Sequence, residues 1–101
     1  MFFLVKWSEA KNKSNIRKQG ISFQEVQEVF NNPNAIEFYD EAHSKAGEDR
    51  YVVIGVTNKC VILNVFYTDR FGNIRIVTAR RATLQEKEVY YERLRRIYHS
   101  M

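Results

Sequence analysis

The sequence predicts an α+β domain in which a small antiparallel β-sheet of three or four strands packs with two N-terminal helices and one C-terminal helix. Three observations predict it. Serine capping signals introduce helical spacing between Ser8 and Phe30; two runs rich in β-branched and aromatic residues follow, from Arg50 to Thr57 and from Cys60 to Thr68; and a Thr83/Glu86 capping box opens a last helical stripe. The 101 residues suit one domain, 1–101, and a 45% apolar, 14% aromatic composition with one proline and four glycines excludes a disordered chain.

The elements follow in order. Ser8 caps a helix that runs to about Lys18 and is ended by Gly20. Ser22 and Glu25 form an S-x-x-E box for a second helix, whose Phe23, Val26 and Phe30 share a face, and Asn31 to Asn34 with the sole proline stop it. Ala35 to Tyr39 reads as a short strand and Asp40 to Gly47 as a polar, mobile loop. The two strong strands are separated by Asn58-Lys59, a length that suits a tight hairpin. Asp69 to Asn73 is a second turn, Ile74 to Arg80 the next strand, and Tyr90, Leu94, Ile97 and Tyr98 lie on one stripe of the final helix.

Several function classes fall away. No apolar run, including the opening Met1 to Val5, approaches the roughly 18–20 residues that cross a bilayer, so a soluble, cytoplasmic protein without membrane contact is expected. Cys60 is the single cysteine, which excludes an intrachain disulfide framework, and it has no basic neighbour other than Lys59 to activate it. His43 has no second histidine nearby, so neither a metal nor another cofactor is expected.

Sixteen Lys+Arg against twelve Asp+Glu give a net charge of +4, and the charge is segregated. Lys6 to Lys18 carries five basic residues and one acid, Glu25 to Asp49 seven acids and one lysine, and the chain from Asp69 onward eight basic residues, all but Lys87 arginine. Arginine's fixed fork suits phosphate.

A two-residue turn would pair Thr57 with Cys60, Ile54 with Leu63, Arg50 with Tyr67 and Glu48 with Asp69, so that an aliphatic stripe ends in polar groups. Depending on the length of the next turn, either Arg75 or Ile76 lies opposite Tyr67, the latter register turning Arg80 to the same face. Glu48, Arg50, Tyr67, Arg70 and one or both of Arg75 and Arg80 then converge at one end of the sheet. This set suits metal-independent RNA cleavage, with Glu48 as base toward the ribose 2′-hydroxyl, the arginines clamping phosphate, and Tyr67 acting as acid or stacking surface. An ion-pair network tying strand ends together is the alternative reading. Lys11, Asn15 and Lys18 share a helical face and suit RNA-backbone contact, or merely helix solubility with Asn15 satisfying local backbone. Trp7 and Phe23 read as helix staples and core rather than base-stacking platforms.

The segments Trp7-Ser8-Glu9-Ala10-Lys11, Asn15, Lys18-Gln19-Gly20-Ile21-Ser22-Phe23 and Glu25-Val26-Gln27-Glu28-Val29-Phe30 resemble the N-terminal motif of BrnT-type toxins. Glu48-Asp49-Arg50-Tyr51, Val65 to Arg70, Ile74 to Ala82, Glu86 and Tyr90 follow in that family's order. The resemblance implies a RelE-like ribonuclease toxin of a type II toxin–antitoxin pair; with the strand registers and helical spacing above, Glu48, Arg50, Tyr67, Arg70 and Arg80 are then expected to be catalytic and Lys11, Lys18, Arg75 and Arg81 to bind RNA. It further implies an RNA substrate, neutralisation by a small ribbon-helix-helix antitoxin, and contact with operator DNA only through that antitoxin. Two positions depart from the family pattern: Ser8 stands where Asp is usual, and Gln19 where His is usual. If that histidine takes part in cleavage, the chain is instead a catalytically weak antitoxin ligand or co-repressor.

Overall fold

Ser8 and Ser22 start their helices as their hydroxyls require, each accepting a backbone N–H three residues on, from Lys11 and Glu25. In the computed structural model, which describes residues 5–99, these helices are α1 (Glu9–Gln19) and α2 (Phe23–Phe30). The apolar opening at 1–4 lies outside the described residues. Gly20 ends α1 with φ +71°, in the left-handed region that glycine enters without a Cβ clash. A short strand, β1 (Val5–Lys6), precedes α1, and β2 (Ile36–Tyr39), β3 (Asp49–Val56), β4 (Ile62–Arg70), β5 (Asn73–Arg81) and α3 (Leu84–His99) follow.

Among the described residues the sheet has five strands, not three or four, in the order β1-β5-β4-β3-β2. It is mixed, because β1 runs parallel to β5 while the other pairs are antiparallel. Two residues of strand after an apolar opening carry no alternation to read, which is why the sequence hides β1.

One face of the sheet holds the main core, in which Phe23, Val26 and Val29 of α2 are fully buried against Val53, Leu63, Val65, Tyr67 and Ile76. Each such side chain contributes about 1.5–3 kcal/mol on leaving water. α3 covers part of the opposite face through Tyr90 and Leu94 on Ile54, Ile62 and Ala82. Gly55 lets α2 approach β3: a Cβ there would sit 2.8 Å from Val29 Cγ1 and 3.1 Å from Ala35 Cβ. Gly55→Ala is therefore expected to cost about 1–3 kcal/mol by overpacking, read as a lower denaturation midpoint in urea.

α1 docks differently. Its buried residues are two asparagines. Asn12 Oδ1 accepts the Phe23 N–H at 2.8 Å; Asn15 Nδ2 donates to Ile21 O at 3.0 Å, and Asn15 Oδ1 accepts the Thr78 hydroxyl at 3.0 Å and the Ala79 N–H at 3.1 Å. Asn15 thus satisfies the edge of β5 beyond the point where β1 stops.

The hairpin register differs from the sequence expectation by one residue. Three residues, Asn58 to Cys60, form the loop, with Cys60 at φ +63° and the Thr57 N–H donating to Val61 O at 2.9 Å. The αL residue closes a bulged three-residue turn, and Glu28 of α2 holds it by accepting from both Asn58 N and Nδ2 at 3.1 and 3.0 Å. A one-residue slip exchanges the faces: Tyr51 now opposes Tyr67, and Arg50 opposes Thr68.

The next turn takes the shorter of the two registers, with Tyr67 opposite Ile76. Phe71 and Gly72, at φ +53° and +87°, form its centre, as a primed two-residue turn requires. A β-bulge at Phe66/Tyr67 then sets Arg80 opposite Asn64 and undoes its expected alignment with Tyr67.

Candidate active site

The segment before β3, expected to be mobile, is held by its own backbone. Asp40 begins a 3₁₀ turn over Glu41–His43, Ser44 Oγ accepts the Arg50 N–H at 2.8 Å, and Lys45 and Glu48 exchange N–H···O bonds of 2.9 and 3.0 Å. Glu48 and Arg50 are therefore presented from an ordered strand entrance.

The strand registers then place Arg50, Thr68, Arg75 and Lys6 in a row across β3, β4, β5 and β1. Arg70, on the face of Thr68, meets Glu48 with Nη2 to Oε2 at 3.0 Å. Lys6, Glu48, Thr68, Arg70, Asn73, Ile74 and Arg75 line a cleft of about 490 Å³. Cations outnumber the single carboxylate of the cleft, and in the neighbouring Arg50 the Nε is buried with no acceptor among the described residues. A buried donor without a partner costs about 1–3 kcal/mol. Among the described residues no cluster of three His, Cys, Asp or Glu side chains is arranged to hold a metal ion, and no helix is long and apolar enough to cross a membrane.

A family model described as the ribonuclease toxin BrnT of type II toxin–antitoxin systems matches residues 7–86. The chain belongs to the BrnT family. The crystal structure of the Brucella abortus ribonuclease toxin BrnT is similar to this chain with a TM-score of 0.60 and 24% identity, covering 81% of this chain and 99% of that one, which shows a shared fold. No curated protein matches the chain.

Of the residues that the strand registers singled out, Glu48, Arg70 and Arg75 line this cleft, and Arg50 lies beside Thr68 in the same row. Tyr67 does neither. It is 4% exposed, stacks on Tyr51 at 5.4 Å and meets the edge of Phe30 at 5.2 Å, because the shifted register turns it into the core. Arg80 is also elsewhere: the bulge directs it to Glu86, which it grips bidentately at 2.7 and 2.9 Å, with Phe66 beneath its guanidinium. Arg81 lies beside Cys60 and Lys87. Lys11 and Lys18 line a separate cleft of about 210 Å³ with Ser14, Asn15, Gln19, Val77 and Thr78. The Gln19 departure thus falls outside the Glu48 cleft. Sequence reading missed Lys6, Thr68 and Asn73; Lys6 had no local signal, since only the parallel β1–β5 pairing brings it to Arg75.

The Arg80–Glu86 pair contributes a pH dependence to stability in acid. Arg80, then the Thr83 N–H and Asn64, hold the Glu86 carboxyl down at about 2 against an ordinary 4.5, despite partial burial. A carboxyl with a lowered folded-state pKa adds stability that is complete above its unfolded value and is lost as pH falls toward the folded one. Glu86→Gln is accordingly expected to unfold more easily than the parent at neutral pH, the gap closing between about pH 4.5 and 2, as followed by denaturant midpoints at stepped pH.

Proposed function

We propose that this chain is an endoribonuclease toxin that cuts RNA in the Glu48 cleft without a metal ion. The observation that carries this reading is one carboxylate among three cations, Lys6, Arg70 and Arg75, in a single cleft at the sheet end, with Arg50 next in the same cross-strand row. Glu48 takes the proton of a ribose 2′-hydroxyl; the 2′-oxygen attacks phosphorus as the bond to the 5′-oxygen breaks. Arg50, Arg70 and Arg75 hold the non-bridging oxygens, where preorganised cations act on charge that develops in the transition state. The leaving oxygen needs a proton. Tyr67 is buried and arginine does not give one up, so the Lys6 ammonium is the donor of this cleft. Lys11, Lys18 and Arg81 bind RNA backbone away from the chemistry.

In the same reading the three-helix, five-stranded arrangement is RelE-like, and the toxin works in the cytoplasm. Its antitoxin is of the ribbon-helix-helix kind and alone contacts operator DNA. The test is purified, antitoxin-free protein incubated with single-stranded RNA in EDTA. New 2′,3′-cyclic phosphate and 5′-hydroxyl ends are expected; intact RNA overturns the proposal. Intact RNA with the parent but cleavage by Gln19→His would instead support the non-catalytic antitoxin-ligand reading, which the Gln19 departure motivates.

A further inference from the structure

An apolar trough lies between α3 and the sheet edge. Near the start of α3 a cleft of about 410 Å³ is floored by Phe38, Val52, Ile54 and Val89. It continues along the helix as a groove of about 640 Å³ between Ile36 and Phe38 on one side and Val89 and Ile97 on the other. Phe38 and Val89 remain 45% and 42% exposed, and β2 is an outer strand of the sheet. Side chains of this size left half in water at the centre of a concave surface mark a place for a partner.

Two further features define that partner. Asn64, 3% exposed, lines the cleft; its Nδ2 donates to Glu86, whose ionised carboxylate can only accept, so the amide orientation is fixed and Oδ1 is left without a donor. An occupant bearing an N–H or O–H would satisfy it. The charge along the trough is also unbalanced. Glu92 is held by Arg95 at 2.7 Å and Arg96 at 3.4 Å, and Glu86 by Arg80; Arg93 and Glu88 have no ion-pair partner among the described residues, which leaves the arginines of the trough one ahead of its carboxylates. A second copy of a +4 chain would bring like charge; an acidic segment complements it.

We propose that the antitoxin docks in this trough through an amphipathic, acidic segment, with apolar side chains in the groove and one donor on Asn64 Oδ1. The proposal rests on the partner that BrnT membership implies and is independent of the nuclease mechanism. It also explains how docking can silence the cleft. Val52, in the trough floor, follows Arg50 by two residues on the same face of β3, roughly 7 Å along the strand. Acidic chain leaving the trough in that direction runs onto the Arg50–Thr68–Arg75–Lys6 row and occupies the phosphate positions.

The test uses full-length protein and the small antitoxin encoded beside it, titrated by calorimetry. Phe38→Glu and Val89→Glu are expected to weaken antitoxin binding by at least ~30-fold, as loss of a hot-spot contact does, while antitoxin-free RNA cleavage stays at the parental rate. Arg75→Ala is expected to cut poorly yet still bind. Unchanged affinity in both trough variants overturns the proposal, as does a parent that is dimeric by light scattering and becomes monomeric in Val89→Glu. Should those variants misfold, hydrogen exchange on the parent decides: antitoxin must protect residues 36–39 and 84–97, and protection confined to the Glu48 cleft overturns the proposal.

Discussion

Glu48→Gln is expected to lower the rate of RNA cleavage by about 10²- to 10⁴-fold, the contribution of one positioned proton transfer, with little change in thermal stability. The amide keeps the shape of the carboxylate and can still accept from Arg70, so the 3.0 Å contact has a near-isosteric replacement. What it cannot do is take the 2′-hydroxyl proton. Because Glu48 and Arg70 form a partly exposed pair, their attraction adds at most ~1 kcal/mol to folding. Arg75→Ala provides the complementary arm, expected to cost about 10²- to 10³-fold through lost charge stabilisation. Arg75 is exposed and without an ion-pair partner among the described residues, so its loss should not disturb the fold. Single-turnover cleavage of a short RNA measures both, and parental rates in either variant would remove the cleft from the mechanism. Arg80→Ala is a sharp contrast: its bidentate bond to Glu86 makes its loss a stability defect first.

Asn15→Leu is expected to destabilise the protein by about 3–5 kcal/mol, since the Ile21 carbonyl and the Thr78 and Ala79 donors each lose a buried partner worth roughly 1–3 kcal/mol. Asn15 is 4% exposed. Its neighbours in spacing, Lys11 and Lys18, are exposed. Replacing either lysine by Ala should leave stability within about 0.5 kcal/mol, as for most surface changes, and weaken RNA binding with a shallower salt dependence. Equilibrium unfolding in urea separates the two behaviours. An Asn15→Leu protein as stable as its parent would mean that α1 is held to β5 by something other than these hydrogen bonds.

The contrast between Asn15 and the lysines shows where sequence reading runs out. Spacing alone put all three on one helical face, and the face is real, yet one member is a buried bracket and two are solvated. α1 has almost no apolar stripe to announce how it docks; its buried positions are Asn12 and Asn15. Polar docking of this kind depends on backbone groups far away in sequence, and no local pattern records them.

Capping boxes at Ser22/Glu25 and Thr83/Glu86, the glycine stop at Gly20, the two strong strands and the segregated charge were all legible, because each is decided by neighbours within a few residues. The meeting of Glu48, Arg70 and Arg75 was legible too, since all three lie at the strand ends that the meander brings together. Tertiary structure alone decided which side chains share a face. Cys60 in the left-handed region, held by α2 through Glu28 and Asn58, shifted one hairpin by a residue, and a bulge at Phe66/Tyr67 shifted the next. Because side chains alternate along a strand, those two single-residue shifts sent Tyr67 into the core and Arg80 to Glu86, while the parallel pairing of β1 brought in Lys6.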